Sequence, residues 1–176
     1  MIKRFLDQEG ARKEKASFGA QLREAFSNRN FLAFILLYFF YQSATISMTA
    51  SIHYVGDYLL DGRSTTLIFA GMLAGDLAGI PLWLAARKRV RSNQKLLAAA
   101  AVGLAIFSLP LMAVGGYWGF VAAMFAWGLS FGGFWMILTP AMADVIDEIV
   151  VTTGKRDDGV YIGFRAFAGR LAYAVQ

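Results

Sequence analysis

The sequence predicts an all-α, polytopic bundle of membrane-spanning helices, and three observations carry that prediction. Of its 176 residues, 57% are hydrophobic and only 16% are charged, against about a quarter charged in an ordinary soluble domain. The apolar residues gather into stretches as long as a bilayer is thick, and the charged residues fall mostly between those stretches. Such surfaces need lipid as their solvent, and in lipid a backbone that satisfies its own hydrogen bonds must be helical or a closed barrel.

A hydrocarbon core about 30 Å thick takes roughly 20 helical residues to cross. Stretches of that length are expected as helices at about 30–59, 65–86, 96–115 and 117–147. A basic leader, 1–29, precedes the transmembrane region, 30–176. A fifth apolar stretch opens near Val160 and reaches Gln176 before it could cross, so this last helix, 160–176, is expected to be truncated. The leader has no apolar run of signal-peptide length, so the internal helices are expected to drive insertion.

Lysine and arginine set the expected topology, because cytoplasmic loops near helix ends carry an excess of them. The leader holds Lys3, Arg4, Arg12, Lys13, Lys15, Arg23 and Arg29, and the connector after the second helix holds Arg87, Lys88, Arg89, Arg91 and Lys95. Between the first two helices there is only Arg63 with Asp57 and Asp61, and the Gly115–Gly116 connector is uncharged. The leader, the Arg87–Lys95 connector and the segment from Asp144 to Gly159, with Lys155 and Arg156, are therefore expected in the cytoplasm. The chain is accordingly expected in the cell membrane as a multi-pass protein with its N-terminal segment inside. A net charge of +5 confined in this way argues against nucleic acid as a partner. The absence of cysteine and a single histidine, His53, exclude thiolate metal sites and most histidine clusters.

Each helix has its own character. The first carries Tyr38, Gln42, Thr45, Thr49 and His53 at steps of three and four, a polar stripe that should face protein or water. The second carries Gly71, Gly75 and Gly79, a spacing that lets a neighbouring backbone come close. It also carries Asp76, whose ionised form costs about 2.5–3.5 kcal/mol at mid-membrane on insertion scales. That carboxylate reads either as a proton- or cation-coupling group or as an interhelical hydrogen-bond partner. The third helix has Ser108 as its one polar side chain between Leu96 and Gly115, and Pro110 is expected to kink it, so it reads as peripheral. In the fourth, Trp127 and Trp135 stand beside Gly128, Gly132 and Gly133, as sugar stacking or plain aromatic packing would require. The first, second and fourth helices are expected to share one concavity, with the third outside.

Asp144 and Asp147, three apart where the fourth helix is expected to end, oppose the helix dipole, which points to an ionic role beyond helix stability. The run DVIDEIVVTTGKRDDGVYIGFRAFAGRLA around them resembles the helix-10 to helix-11 signature of the glycoside-pentoside-hexuronide:cation symporters, the melibiose permease family of the major facilitator superfamily. FSNRNFLAF resembles that family's entry to helix 7, and GIPLWLAARKRVRSNQK its helix-8 end and basic loop. The resemblance implies a partial C-terminal half of such a transporter, helices 7 to 10 and the start of 11, whose N-terminal six-helix half is its partner. It implies transport of a small solute, a sugar, coupled to sodium or a proton by alternating access, with the cation site mostly in the other half. It implies a cytoplasmic gate of Asp144, Asp147 and Arg156, with Val150 replacing a position that is often acidic. Arg170 stands where sugar carriers of the family have a lysine, and arginine does not deprotonate in that role. Tyr38, Gln42, Thr45, Thr49, Asp76, Trp135 and Arg170 are the cavity candidates; no cofactor and no catalytic residue is expected. The rival reading is a small membrane assembly protein that dimerises through the glycine face. An enzyme has no paired histidines, serine motif or phosphate loop to rest on.

Overall fold

Side-chain oxygens at Asn28 and Ser92 and two glycines, Gly116 and Gly154, punctuate the helices. The computed structural model describes residues 26–60, 63–154 and 158–175. Helix α1 (Arg29–Tyr54) begins where the Asn28 side chain accepts the Phe31 N–H at 2.9 Å, and it closes in a turn of π-helix, Val55–Leu59. Helix α2 (Thr66–Arg89) follows, with three basic residues in its last turn where the dipole favours them. Ser92 accepts the Lys95 N–H and opens α3 (Asn93–Ala113) three residues earlier than the apolar stretch alone suggests. Helix α4 (Tyr117–Thr153) precedes α5 (Asp158–Ala174).

The fourth helix runs well past the expected end at 147, and most of the expected loop from Asp144 is helix. Neither Asp144, Asp147 nor Glu148 breaks it; the stop is Gly154, whose φ of +70° is left-handed and whose N–H reaches the Val150 carbonyl at 2.8 Å. At 37 residues, α4 is about 55 Å long, more than a bilayer core requires.

α4 is the centre of the bundle, packing most extensively on α2 and next on α3, while α1 pairs with α5. The α2–α4 and α1–α5 pairs are both parallel. Gly71, Gly75 and Gly79 meet Val121, Phe125 and Leu129 in the same order, and Phe31 meets Tyr161 where Tyr38 meets Gly169. α3 returns antiparallel along α4, with Gly103 against Ser130 and Asn93 bonded to Asp144. The third helix thus flanks the centre, as expected, and α1 with its π turn, α2, α3 and α4 are each long and apolar enough to cross a membrane. The arginines and lysines of the α2–α3 connector, Arg29 and the C-terminal end of α4 all lie at one end of the bundle, here called the basic end.

Candidate functional site

Asp76 owes its position to a seam of glycines. On α2, Gly71, Gly75 and Gly79 lie against the backbone carbonyls of Val121, Phe125 and Leu129, so a methyl group on any of them would strike main chain. On α4, Gly128 meets the backbone around Met72 and Asp76, and Gly132 lies directly against the Asp76 carboxylate. Gly133 leaves room for the Trp83 ring, whose N–H donates to the Leu129 carbonyl at 2.8 Å. The two glycine sets therefore face one another. This corrects the expected shared concavity of α1, α2 and α4, because the glycine faces of α2 and α4 fill each other.

On α1 the polar stripe divides. The Thr45 hydroxyl donates to the Gln42 carbonyl, and that of Thr49 to the Thr45 and Ile46 carbonyls, each at 3.0 Å, so both are satisfied by their own helix. His53 is exposed in the last turn, its ring 5.7 Å from Phe69. Tyr38 brings its hydroxyl against Gly169 of α5, one residue from the exposed Arg170. Gln42 is buried, and its Oε1 has no hydrogen-bond partner among the described residues.

Tyr41, which the spacing argument passes over, stands at the crossing of the helices. Its ring lies flat on Phe134, centroids 3.5 Å apart and planes 10° apart, and edge-on to Trp135 at 6.3 Å. Its hydroxyl is buried without a hydrogen-bond partner among the described residues, and Asp76 and Tyr38 are its electrostatic neighbours. Only its place beside Gln42 in a polar helix hinted at this.

The tryptophans part company. Trp127 is 2% exposed, stacks on Phe131 and donates to Ser108 at 3.2 Å, so it is a packing residue and Ser108 is its acceptor. Trp135 is 46% exposed and lies about one turn along α4 from Gly132, the residue that meets the Asp76 carboxylate. An exposed aromatic face is an apolar platform on which a hydroxylated solute can stack.

A larger space opens elsewhere. A cavity of about 580 Å³ lies between α1, α3 and α4, walled by residues such as Phe40, Met48, Leu104 and Met124. Tyr41 and Thr45 reach it; Gln42, Asp76, Trp135 and Arg170 do not line it. The hydroxyls on its wall at Thr45, Ser51 and Ser108 all donate to carbonyls of their own helix, so it offers a polar solute little. α3 borders this cavity, a role the sequence did not suggest for it.

At the basic end Asp144 and Asp147 take different neighbours. Asp144 accepts from Asn93 Nδ2 at 2.8 Å, next to the N-terminus of α3, a favourable place for a negative charge. Asp147 borders a notch of about 260 Å³ between α4 and α5 together with Asp158 and Arg165. Arg165 was missed in the sequence because only the packing of α5 on the bundle brings it there. Asn30 Nδ2 donates to Glu148 at 2.7 Å and ties the start of α1 to α4. Arg156 lies outside the described residues.

A family model described as MFS/sugar transport protein matches residues 3–176. The chain belongs to that family. It is a membrane protein of the major facilitator type, a transporter by family rather than an enzyme, and its all-helical bundle fits part of such a carrier. No curated protein and no solved structure matches the chain.

Proposed function

We propose that the chain is the C-terminal part of a sugar:cation symporter of the glycoside-pentoside-hexuronide type, working by alternating access against a second six-helix half. The observation that carries this reading is the half-exposed Trp135 ring, edge-on to Tyr41 and on the same helix as Gly132, which lies against the Asp76 carboxylate. Sugars bind through such pairs, since their C–H faces stack on an aromatic ring while their hydroxyls donate to a carboxylate. Tyr38 and Arg170, on the facing α1–α5 pair, supply further polar contacts, with Arg170 as a fixed fork for a hydroxyl or carboxylate of the solute. The family description and the motif DVIDEIVVTTGKR support the assignment. The basic end faces the cytoplasm of the cell membrane, in keeping with its arginines and lysines.

Asp144, Asp147 and Arg156 form this half's share of a cytoplasmic gate, their partners being basic and acidic groups of the other half. Replacing both aspartates by asparagine in the complete transporter shifts the population away from the inward-closed state, read by labelling of the cytoplasmic cavity. Unchanged labelling with full transport would remove the gate. The sugar assignment is tested by titrating the purified chain with galactosides, pentosides and hexuronides while following tryptophan fluorescence. A sugar-dependent change that Trp135→Phe abolishes and Trp127→Phe retains is expected; no response to any sugar class breaks the reading.

A further inference from the structure

The cavity between α1, α3 and α4 lies apart from Asp76 and Trp135, neither of which lines it, and has a chemistry of its own. Its volume of about 580 Å³ falls within the about 300–1,000 Å³ typical of small-molecule sites. Side chains such as Leu37, Met48, Leu104 and Met124 form its walls, and no charged residue is among them. The polar groups in the wall are mostly spent. Thr45 donates to the Gln42 carbonyl, Ser51 to the Ser47 carbonyl and Ser108 to the Leu104 carbonyl, while the Trp127 N–H donates to Ser108.

Tyr41 is the exception. It is 5% exposed and forms part of the wall, its ring lies flat on Phe134, and its hydroxyl has no hydrogen-bond partner among the described residues. Most buried polar groups of a folded protein have one. Tyr41 lies twelve residues from Arg29 at the basic end, about 18 Å along α1 and so near the middle of a bilayer core about 30 Å thick. Lipid acyl chains at that depth fill apolar space but bring no oxygen, because their ester groups lie at the edge of the core. Water is a poor occupant too, since cavities with apolar walls stay dry and take up apolar molecules. α1 and α3 do not pack extensively on each other, and Phe40 and Met112 in the wall are exposed. The cavity is thus open sideways, between two membrane-spanning helices.

We infer that this cavity binds a neutral lipophilic carbonyl compound, taken up from the bilayer and held by a hydrogen bond from the Tyr41 hydroxyl to its carbonyl oxygen. Neutrality follows from the uncharged wall, and an apolar body from the side chains that build it. A ligand hydroxyl would add a second donor in need of a partner, whereas a carbonyl adds an acceptor only. Met48 and Met124, unbranched and polarisable, let the wall adapt to skeletons of different shape. The site is independent of the sugar reading, because Gln42, Asp76, Trp135 and Arg170 do not line it.

The test is photolabelling of the purified chain in lipid nanodiscs with benzophenone, a lipophilic ketone that on illumination bonds to nearby C–H groups, methionine methyls foremost. Labelled peptides are assigned by mass spectrometry, and fluorenone and fluorene, which differ by one carbonyl, serve as competitors. The expected result is saturable labelling of Met48 or Met124, with fluorenone competing roughly tenfold better than fluorene, the equivalent of one net hydrogen bond. That difference should vanish in Tyr41→Phe. Ala101→Phe, which fills the cavity from α3, should abolish the labelling with the Tyr41 hydroxyl still present, and it covers the case in which Tyr41→Phe fails to fold. The inference is overturned if label falls equally on Met72 and Met136, which do not line the cavity, or persists in Ala101→Phe. It is overturned as well if fluorene competes as strongly as fluorenone, which leaves a seat for acyl chains only, or if the preference survives in Tyr41→Phe. Labelling blocked in samples that light scattering shows to be dimers gives the cavity to a second copy of the chain and equally overturns it.

Discussion

The two parallel helix pairs are built on opposite principles. α2 and α4 meet backbone to backbone, with glycines on both sides and Trp83 reaching across to the Leu129 carbonyl. α1 and α5 meet through rings, Phe31 against Tyr161 at 5.0 Å and against Phe164 at 6.1 Å, with Tyr38 lying over Gly169. In lipid, apolar side chains gain little by leaving one hydrocarbon for another, so the closeness of packing decides how firmly helices associate. The glycine seam is therefore the rigid part of the molecule. The α1 side holds Tyr41 Oη and Gln42 Oε1, buried polar atoms without hydrogen-bond partners among the described residues, where most buried polar groups of a folded protein have one. One pair fixes the position of Asp76, and the other carries the buried polar groups of α1.

Substitutions can break or sharpen this contrast. The largest effect is expected at Gly75, where a leucine would drive its Cβ into the Phe125 main chain. Gly75→Leu should lower stability by about 1–3 kcal/mol or more, the usual cost of overpacking, read as a fall in thermal unfolding temperature in detergent. A seam that tolerated leucine there would not be rigid.

Next in size, the α1 side should respond with the opposite sign. Gln42→Met and Tyr41→Phe each remove a buried polar atom that has no hydrogen-bond partner among the described residues, and should be neutral or stabilising by up to about 1 kcal/mol. Sugar uptake by the complete carrier should fall in both, and destabilisation of either variant would show that these atoms serve the fold.

A smaller loss is expected for Trp83→Phe, which removes the hydrogen bond to Leu129. Interhelical polar contacts in membranes average about 0.6 kcal/mol, so the shift in unfolding temperature should be a fraction of that for Gly75→Leu. The smallest stability change belongs to Arg170→Ala on the exposed face of α5, within about 0.5 kcal/mol. Its effect should appear instead in sugar affinity, measured by the same fluorescence titration.

Several parts of this organisation are legible residue by residue. Gly71, Gly75 and Gly79 announce a close contact because their spacing repeats nearly every helical turn, yet nothing in it says that Gly128 and Gly132, about fifty residues away, form the other side. Asp76 stands out as a charge in an apolar run, whereas Gly132 looks like any glycine until the carboxylate is seen against it. Asp144 and Asp147 look like a pair on a helical wheel. In the bundle one is drawn to Asn93 at the start of α3 and the other to the notch with Arg165, because neighbouring helices approach α4 from two sides.

The sequence by itself determined that the chain is helical, that it lives in a membrane, about where its helices lie and which charges gather at its ends. These follow from local chemistry, since the length of an apolar run and the position of each lysine or arginine are settled before any helix meets another. Only the tertiary structure decided that α4 is the centre, that the glycine faces lock together, that Trp127 is packing while Trp135 stays open, and that Tyr41 lies flat on Phe134. Those outcomes depend on which faces meet, and a helix can turn any face toward a neighbour until close packing selects one.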